Sequence, residues 1–312
     1  MITIDDIVLL QTLDYPSLID AIQEAFTSDA NVPERHHHTI SVPARLDATL
    51  LLMPAWRIDE YVGIKIATIF PSNGDVGLPS VMATYLLLDG TTGSPLATID
   101  GKALTGLRTA ATSAFASRLL SRTESSTMTM VGAGALAIPL VTAHASVRNL
   151  KQIYVWNRST ESAERVVEAL LKNDLPASVT MDLEQSVRGS DVVSCASLSR
   201  EPLIRGSWVR EGTHIDLVGA YTGEMRETDD ELIVRGKVFV DTYEGARSEA
   251  GDLIQAAESG AWNFDAVLAD LKELATGQFE GRISDSEITV FKSVGSAIED
   301  LAAARLAYER LR

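Results

Sequence analysis

The chain has 312 residues, 46% of them apolar, a formal net charge of −16 and a single cysteine. That length and apolar content can bury one large core or two ordinary ones, which excludes a disordered chain. The acid excess argues against a nucleic-acid or anionic-membrane partner, since both need clustered Lys and Arg, and the lone Cys195 excludes an intrachain disulfide and a multi-thiolate metal site.

Met1-Ile2-Thr3-Ile4-Asp5-Asp6 has no basic segment ahead of an apolar core, so no secretory signal is expected. The longest apolar stretch, around 130–147, is broken by Gly132, Gly134, Pro139 and His144 and is too short to span a bilayer. A cytoplasmic protein is expected. Residues 5–27 read as helices, with Ile7, Leu10 and Leu13, then Leu18, Ile19, Ile22, Ala25 and Phe26 at helical spacing around Asp14-Tyr15-Pro16. Next come His36-His37-His38, whose consecutive side chains would point to opposite faces of an extended segment. No Cys or carboxylate cluster stands beside them, so a polar loop is expected there and no metal site. Short strands follow at 50–53, 62–70 and 81–88, each bounded by Pro, Gly or Asn-Gly signals, then a hairpin turn into 96–99 and a helix over 103–120.

The rhythm then changes. Strands at 127–131, 153–156, 178–181, 191–196, 215–218 and 238–240 alternate with helices at 136–146 and 160–172, which predicts a parallel sheet covered on both faces. Cys195 falls near the end of one such strand and reads as core, and Asp229-Asp230-Glu231 reads as a solvated helix start. A helix over 294–311 ends the chain. The expected fold is α/β: a Rossmann dinucleotide-binding domain at 119–292, and a discontinuous α+β domain made of 1–118 and 293–312.

Inside the parallel part, a strand ending at Val131 runs into Gly132-Ala133-Gly134-Ala135-Leu136-Ala137 and then a helix. The first Gly permits a tight turn, and the second lets backbone approach a pyrophosphate. Ala137 is small enough for helix and strand to pack closely, while the helix N-terminus offers N–H groups to phosphate. Gly132, Gly134 and Ala135 are therefore candidate cofactor contacts. The next strand ends in Asn157-Arg158-Ser159, where an acidic residue would favour the ribose hydroxyls of NAD. An Arg beside a Ser suits a 2′-phosphate instead, so NADPH is expected, with NADH as the other candidate. Ser197, which follows one later strand, Val218, at the end of another, and Ser293 complete the candidate cofactor set; for Ser197 a structural role is an equal alternative.

Gly63-Ile64-Lys65, Gly77-Leu78-Pro79-Ser80-Val81-Met82-Ala83, Leu104-Thr105-Gly106-Leu107-Arg108-Thr109-Ala110-Ala111-Thr112-Ser113-Ala114 and Thr289-Val290-Phe291-Lys292-Ser293-Val294-Gly295, taken with the glycine turn, resemble the ornithine cyclodeaminase/μ-crystallin family in order and spacing over the whole chain. The resemblance implies homodimers paired through the discontinuous substrate/dimerisation domain, and hydride transfer between a nicotinamide and the Cα of an amino or imino acid. It also implies that Lys65, Arg108 and Arg45 hold the substrate carboxylate and that Thr109 touches the cofactor phosphates. On an extended strand Lys65 shares a face with Gly63, Ala67 and Ile69, which suits a cation over a partly buried pocket.

One departure bears on the reaction. Cyclodeaminases of this family carry an Asp after the glycines that close a strand, in a "GDxPGKxEL" segment, and Tyr221 stands at that position here. A phenol with an ordinary pKa of about 10 is a poor substitute for a carboxylate that must handle amines. The resemblance therefore implies the ketimine reductase type, NAD(P)H-dependent reduction of a small cyclic imino acid, with Δ1-pyrroline-2-carboxylate to L-proline as the named reaction and Tyr221 or water as proton donor. Ornithine cyclodeaminase or alanine-type dehydrogenase is one alternative; a non-catalytic NADPH-binding crystallin-like protein is the other.

Overall fold

A computed structural model describes residues 1–312, which divide into two compact units, Met1–Thr109 with Ser296–Arg312, and Ala110–Gly295. The chain opens with β1 (Ile2–Ile4), α1 (Asp6–Thr12) and α2 (Tyr15–Thr27). Both helices start on an aspartate cap: Asp5 accepts from the Val8 N–H at 2.8 Å and Asp14 from that of Ser17 at 2.9 Å. Leu18, Ile19, Ile22, Ala25 and Phe26 form the buried stripe of α2.

Next come β2 (His36–Ile40), β3 (Ala48–Arg57), β4 (Tyr61–Ile69), β5 (Val81–Asp89), β6 (Pro95–Asp100) and α3 (Gly101–Leu120). The first unit's six-stranded sheet has the order β1-β6-β5-β4-β3-β2, antiparallel except for the β1–β6 pair. The boundary between the units falls inside α3, between residues 109 and 110 and not at 118/119. An unbroken helix of small residues offers no compositional signal there.

Two expectations need correction. His36–His38 belong to β2, paired antiparallel with Leu50–Leu52, and not to a loop. All five β2 residues are exposed, so the strand has no apolar alternation to betray it. Strand β3 does not stop at Met53 but passes through Pro54 to Arg57. Pairing with β2 ends at Leu52, so Pro54 has β4 on one side only, where a missing N–H is tolerated.

The second unit is the doubly wound part: β7 (Thr127–Val131), α4 (Ala137–Val147), β8 (Gln152–Trp156), α5 (Thr160–Leu171), β9 (Ala177–Val179), α6 (Leu183–Gly189), β10 (Val192–Cys195), β11 (His214–Leu217), α7 (Asp230–Arg235), β12 (Lys237–Val240), α8 (Tyr243–Glu249), α9 (Gly251–Glu258), β13 (Val267–Asp270), α10 (Leu271–Thr276) and β14 (Thr289–Lys292). Its eight strands are all parallel, in the order β13-β12-β14-β11-β10-β7-β8-β9. Strands β10, β11 and β14 are buried along their whole length, as helices on both faces require. The chain then returns to the first unit as α11 (Ala297–Leu311), which packs on α2 and on β3, β4 and β5.

Asp216 and His214, both buried in the parallel sheet, find polar partners there. Asp216 accepts from Ser113 Oγ at 2.9 Å and Ser194 Oγ at 2.7 Å and lies 3.1 Å from His144 Nε2, while His214 Nδ1 lies 3.0 Å from Thr289 Oγ1. Burial pulls His214 down to about 3. An unfolded chain has this imidazole near its ordinary value of about 6.5, so between the two values the unfolded state binds the extra proton and stability falls as pH falls. A melting temperature that drops from pH 7 to pH 4.5, with a shallower slope in His214→Leu, is expected; parallel slopes would exclude His214 as the cause.

Candidate active site

In the first unit, strand alternation buries Gly63, Lys65 and Ala67 on one face of β4. Tyr85 of β5 stands directly across from Lys65 and is fully buried. A Cβ at Gly63 would lie 1.7 Å from the Tyr85 hydroxyl, so the glycine is what admits this ring. Lys65 is 4% exposed, and its Nζ lies 2.7 Å from Asp300 Oδ2. Arg108, on α3 and 5% exposed, donates through Nε to Asp300 Oδ1 at 3.0 Å and through Nη1 to Glu299 Oε2 at 2.5 Å. Asp300 thus bridges the two cations. Glu299 turns its other oxygen back to the Ser296 N–H at 3.1 Å, at the start of α11.

Two cations and two carboxylates make this buried cluster formally neutral. Burial lowers the Lys65 ammonium to about 8, with Arg108 adding to the shift and Asp300 opposing it. Burial would likewise raise Asp300, but Arg108 and Lys65 outweigh it and hold the carboxyl below its ordinary value. Against the same penalty, Asp300 and Glu299 hold Arg108 above its ordinary value. Breaking such a set from one side leaves an uncompensated buried charge.

Arg45 stands apart. It is exposed in the 41–47 turn and lines, with Val42, Leu46, Phe70, Ser72 and Asn73, a cavity of about 240 Å³. It takes no part in the ion pairs of Lys65 and Arg108. Thr109 is buried next to Arg108 on α3.

In the second unit, the other candidates collect at one edge of the sheet. Gly132, Asn157, Val218 and Ser293 directly follow β7, β8, β11 and β14, and Ser197 follows β10 by one more residue. Those five strands are consecutive neighbours, β14-β11-β10-β7-β8, and the connection order reverses beside β7. Doubly wound sheets bind ligands in the crevice at such a reversal, outside the carboxyl ends of the strands. Gly132 has φ of +106° and donates to the Trp156 carbonyl at 2.9 Å; a Cβ there would sit 2.5 Å from the Ala196 carbonyl oxygen. Gly134 and Ala135 are exposed, and a Cβ at Gly134 would meet nothing within 4 Å. These features, ahead of α4, fit the diphosphate of a dinucleotide.

On β8's side, Asn157 Nδ2 donates to the Ser159 carbonyl at 3.2 Å, Arg158 is exposed, and Ser159 caps α5 by accepting from Ser162 N–H at 3.3 Å. On the other side, Val218 N–H donates to the Cys195 carbonyl at 2.9 Å and Ser293 N–H to that of Leu217 at 3.2 Å. Ser197 gives both its N–H, at 2.7 Å, and its hydroxyl, at 2.9 Å, to Glu227 Oε1, so the structural alternative for this side chain is the one observed. Tyr221 is 42% exposed in the loop after β11. Cys195 is buried, and burial first, then Glu227, pushes its thiol well up, as suits a core residue.

The residues that the sequence reading missed are the acidic partners. Glu299 and Asp300 sit in the first turn of an ordinary-looking helix, where acids are commonplace. Glu227, Asp252 and Lys292 are fully buried, and periodicity gives no hint of it.

The reversal in strand order and the glycine turn define a Rossmann-type dinucleotide-binding protein. The chain belongs to the ornithine cyclodeaminase/mu-crystallin family, whose model matches residues 1–312. It is 35% identical over 306 residues to a Δ1-pyrroline-2-carboxylate reductase of Colwellia psychrerythraea, with 96% of each chain covered. Among solved structures it is similar to Thermococcus litoralis Δ1-pyrroline-2-carboxylate reductase in complex with NADH and L-proline (TM-score 0.92, 34% identity, 99% of this chain and 97% of that one). It is also similar to an archaeal alanine dehydrogenase dimer with bound NAD (TM-score 0.90, 31% identity, coverage 99% and 95%). No helix is long and apolar enough to cross a membrane.

Proposed function

We propose that the chain is an NAD(P)H-dependent reductase of a small cyclic imino acid, converting Δ1-pyrroline-2-carboxylate to L-proline as a cytoplasmic homodimer paired through the first unit. The observation that carries this function is the buried set of Lys65 and Arg108 against Glu299 and Asp300. Lys65 and Arg108 bind the substrate carboxylate, and Arg45, in the 41–47 turn, is the third cation assigned to it. The set is formally neutral, so a substrate that is itself neutral enters without leaving a net buried charge. A cyclic imine protonated on nitrogen and ionised at its carboxyl meets that condition; a 2-oxo acid anion does not. Glu299 and Asp300 keep the two cations at fixed positions between turnovers.

A nicotinamide cofactor, when bound, would supply the hydride. Gly132, Gly134, Ala135 and the start of α4 hold its diphosphate, with Thr109 assisting. Asn157, Arg158 and Ser159 face the adenosine ribose, where Arg158 meets a 2′-phosphate, and Val218 and Ser293 line the other half. Tyr221 and water are the two proton sources for the product nitrogen. With Tyr221 at the position of the cyclodeaminase carboxylate, loss of ammonia from ornithine has no acidic assistant. The name and bound ligands of the T. litoralis structure support imine reduction, and the likeness to the archaeal enzyme supports an alanine dehydrogenase as the second reading.

Five- and six-membered cyclic imino acids assayed with NADPH and NADH, beside alanine with NAD and ornithine, test the proposal. Turnover is expected with the five-membered imine; turnover only with alanine, ornithine conversion at an ordinary enzymatic rate, or no turnover at all would each overturn it. Two further outcomes are expected. KM for the imino acid rises above a pH of about 8, where the Lys65 ammonium loses its proton, and a KM flat from pH 7 to 9.5 would remove Lys65 from carboxylate binding. Arg158→Ala weakens NADPH about tenfold and leaves NADH unchanged; equal weakening of both would end the 2′-phosphate role.

A further inference from the structure

The loops that follow β10 and β11 are fastened to each other by one carboxylate. Glu227, fully buried, accepts Ser197 N–H at 2.7 Å and Ser197 Oγ–H at 2.9 Å on Oε1, and Gly219 N–H at 2.7 Å on Oε2. The approach is so close that a Cβ on Gly219 would lie 2.1 Å from the Ser197 carbonyl oxygen and 2.3 Å from Glu227 Oε1. Behind it, Asp252 Oδ1 accepts the Glu227 N–H at 2.7 Å and the Thr228 N–H at 3.1 Å, and Asp252 Oδ2 lies 3.3 Å from Lys292 Nζ, also fully buried. Farther along, Gln255 Nε2 donates to the carbonyls of Gly223 at 2.9 Å and Met225 at 3.1 Å, so the whole segment between β11 and α7 is pinned to α9.

Two carboxylates and an ammonium with no solvent contact are expensive to bury and add little stability over apolar packing. The Glu227 carboxylate accepts from Ser197 and Gly219 in the strand-end loops at the ligand edge of the sheet, on the far side of β7 from Asn157 and Arg158. A dinucleotide laid across the crevice with its adenosine ribose at β8 has its nicotinamide over β10 and β11. Resting on the dinucleotide site proposed above, we infer that Glu227 is a positioning residue for the nicotinamide half of the cofactor: by tying Ser197 to Gly219 it fixes the backbone surface against which the nicotinamide ring and amide lie.

The groups facing Glu227 are Cys195 of β10, Asp252 of α9 and Lys292 of β14. Burial raises the carboxyl, Lys292 opposes and Asp252 reinforces, which places Glu227 at about 7. Once protonated, it loses one of its acceptor sites and the clasp loosens. Glu227→Gln does the same permanently, since one end of the amide then presents N–H to an N–H donor.

The experiment compares NADH with ADP-ribose, which lacks the nicotinamide, and NADPH with 2′-phospho-ADP-ribose, by equilibrium binding to the full chain. Glu227→Gln is expected to weaken the nicotinamide-bearing member of each pair about tenfold and to leave the nicotinamide-free member within about twofold. A merely structural role weakens both members together, and that result, or no weakening, overturns the inference. The unmodified chain gives the same test without a variant: from pH 8.5 to 6, affinity for NADH falls while that for ADP-ribose holds, and a constant ratio overturns it. A wild-type chain that binds neither member of either pair overturns the dinucleotide site itself, and the inference with it.

Discussion

Arg108→Ala is expected to reduce kcat/KM for the imino acid by at least a hundredfold and to lower stability by about 3–5 kcal/mol. The guanidinium binds Asp300 and Glu299 at once, and both carboxylates are fully buried in the side chain. Alanine leaves them with Lys65 as the one remaining cation, so the cluster changes from neutral to net negative in a place water does not reach. Two losses are then superimposed: the fold carries an unpaired charge, and the substrate carboxylate meets repulsion where it met a fork of donors. They can be separated. In Arg108→Leu combined with Glu299→Leu the charges balance again, so most of the stability should return in urea titration while kcat/KM stays low. Recovery of activity with stability, or a kcat/KM within threefold of wild type in Arg108→Ala, would mean that Arg108 serves the core and not the substrate.

The second large effect contrasts two alanines in the glycine turn. At Gly134 a Cβ finds open space, so Gly134→Ala should melt within about 1 °C of wild type. In the proposed dinucleotide site the same methyl stands in the path of the pyrophosphate, and dinucleotide affinity should fall by at least about tenfold. At Gly132 a Cβ strikes the Ala196 carbonyl and the positive φ adds strain, so Gly132→Ala should lose about 1–3 kcal/mol of stability as well as cofactor. Unaltered NADH and NADPH binding in folded Gly134→Ala would remove the diphosphate from this turn.

What could be read from the chain in advance was whatever leaves a periodic or local mark. The alternation around Lys65, the small-residue helix carrying Arg108 and the strand–glycine–helix run at Val131 all write themselves into neighbouring positions. The edge strand at His36–Ile40 does not, because every residue in it is exposed and its pairing with β3 comes from residues eight or more positions away. Asp300 is a harder case. Its role depends on meeting Lys65 and Arg108 across a sequence separation of about two hundred residues, and an acid in the first turn of a helix looks the same whether it caps, solvates or neutralises. Glu227 carries no periodic mark; that it draws two strand ends together follows from the sheet order, which sets β10 beside β11 across about twenty intervening residues.

The return of α11 to the first unit sets an order on how the molecule is made. During synthesis, residues 1–109 emerge first, yet the sheet face that α11 covers stays open, and Lys65 and Arg108 lack their carboxylates, until 296–312 leave the ribosome. The nucleotide-binding unit is a continuous segment and can close on the way. The two buried cations are thus held back from their final setting until the last helix is translated, so a nascent chain arrested before residue 296 should expose the α2 and β4 faces to chaperones and proteases while its Rossmann half is already protected.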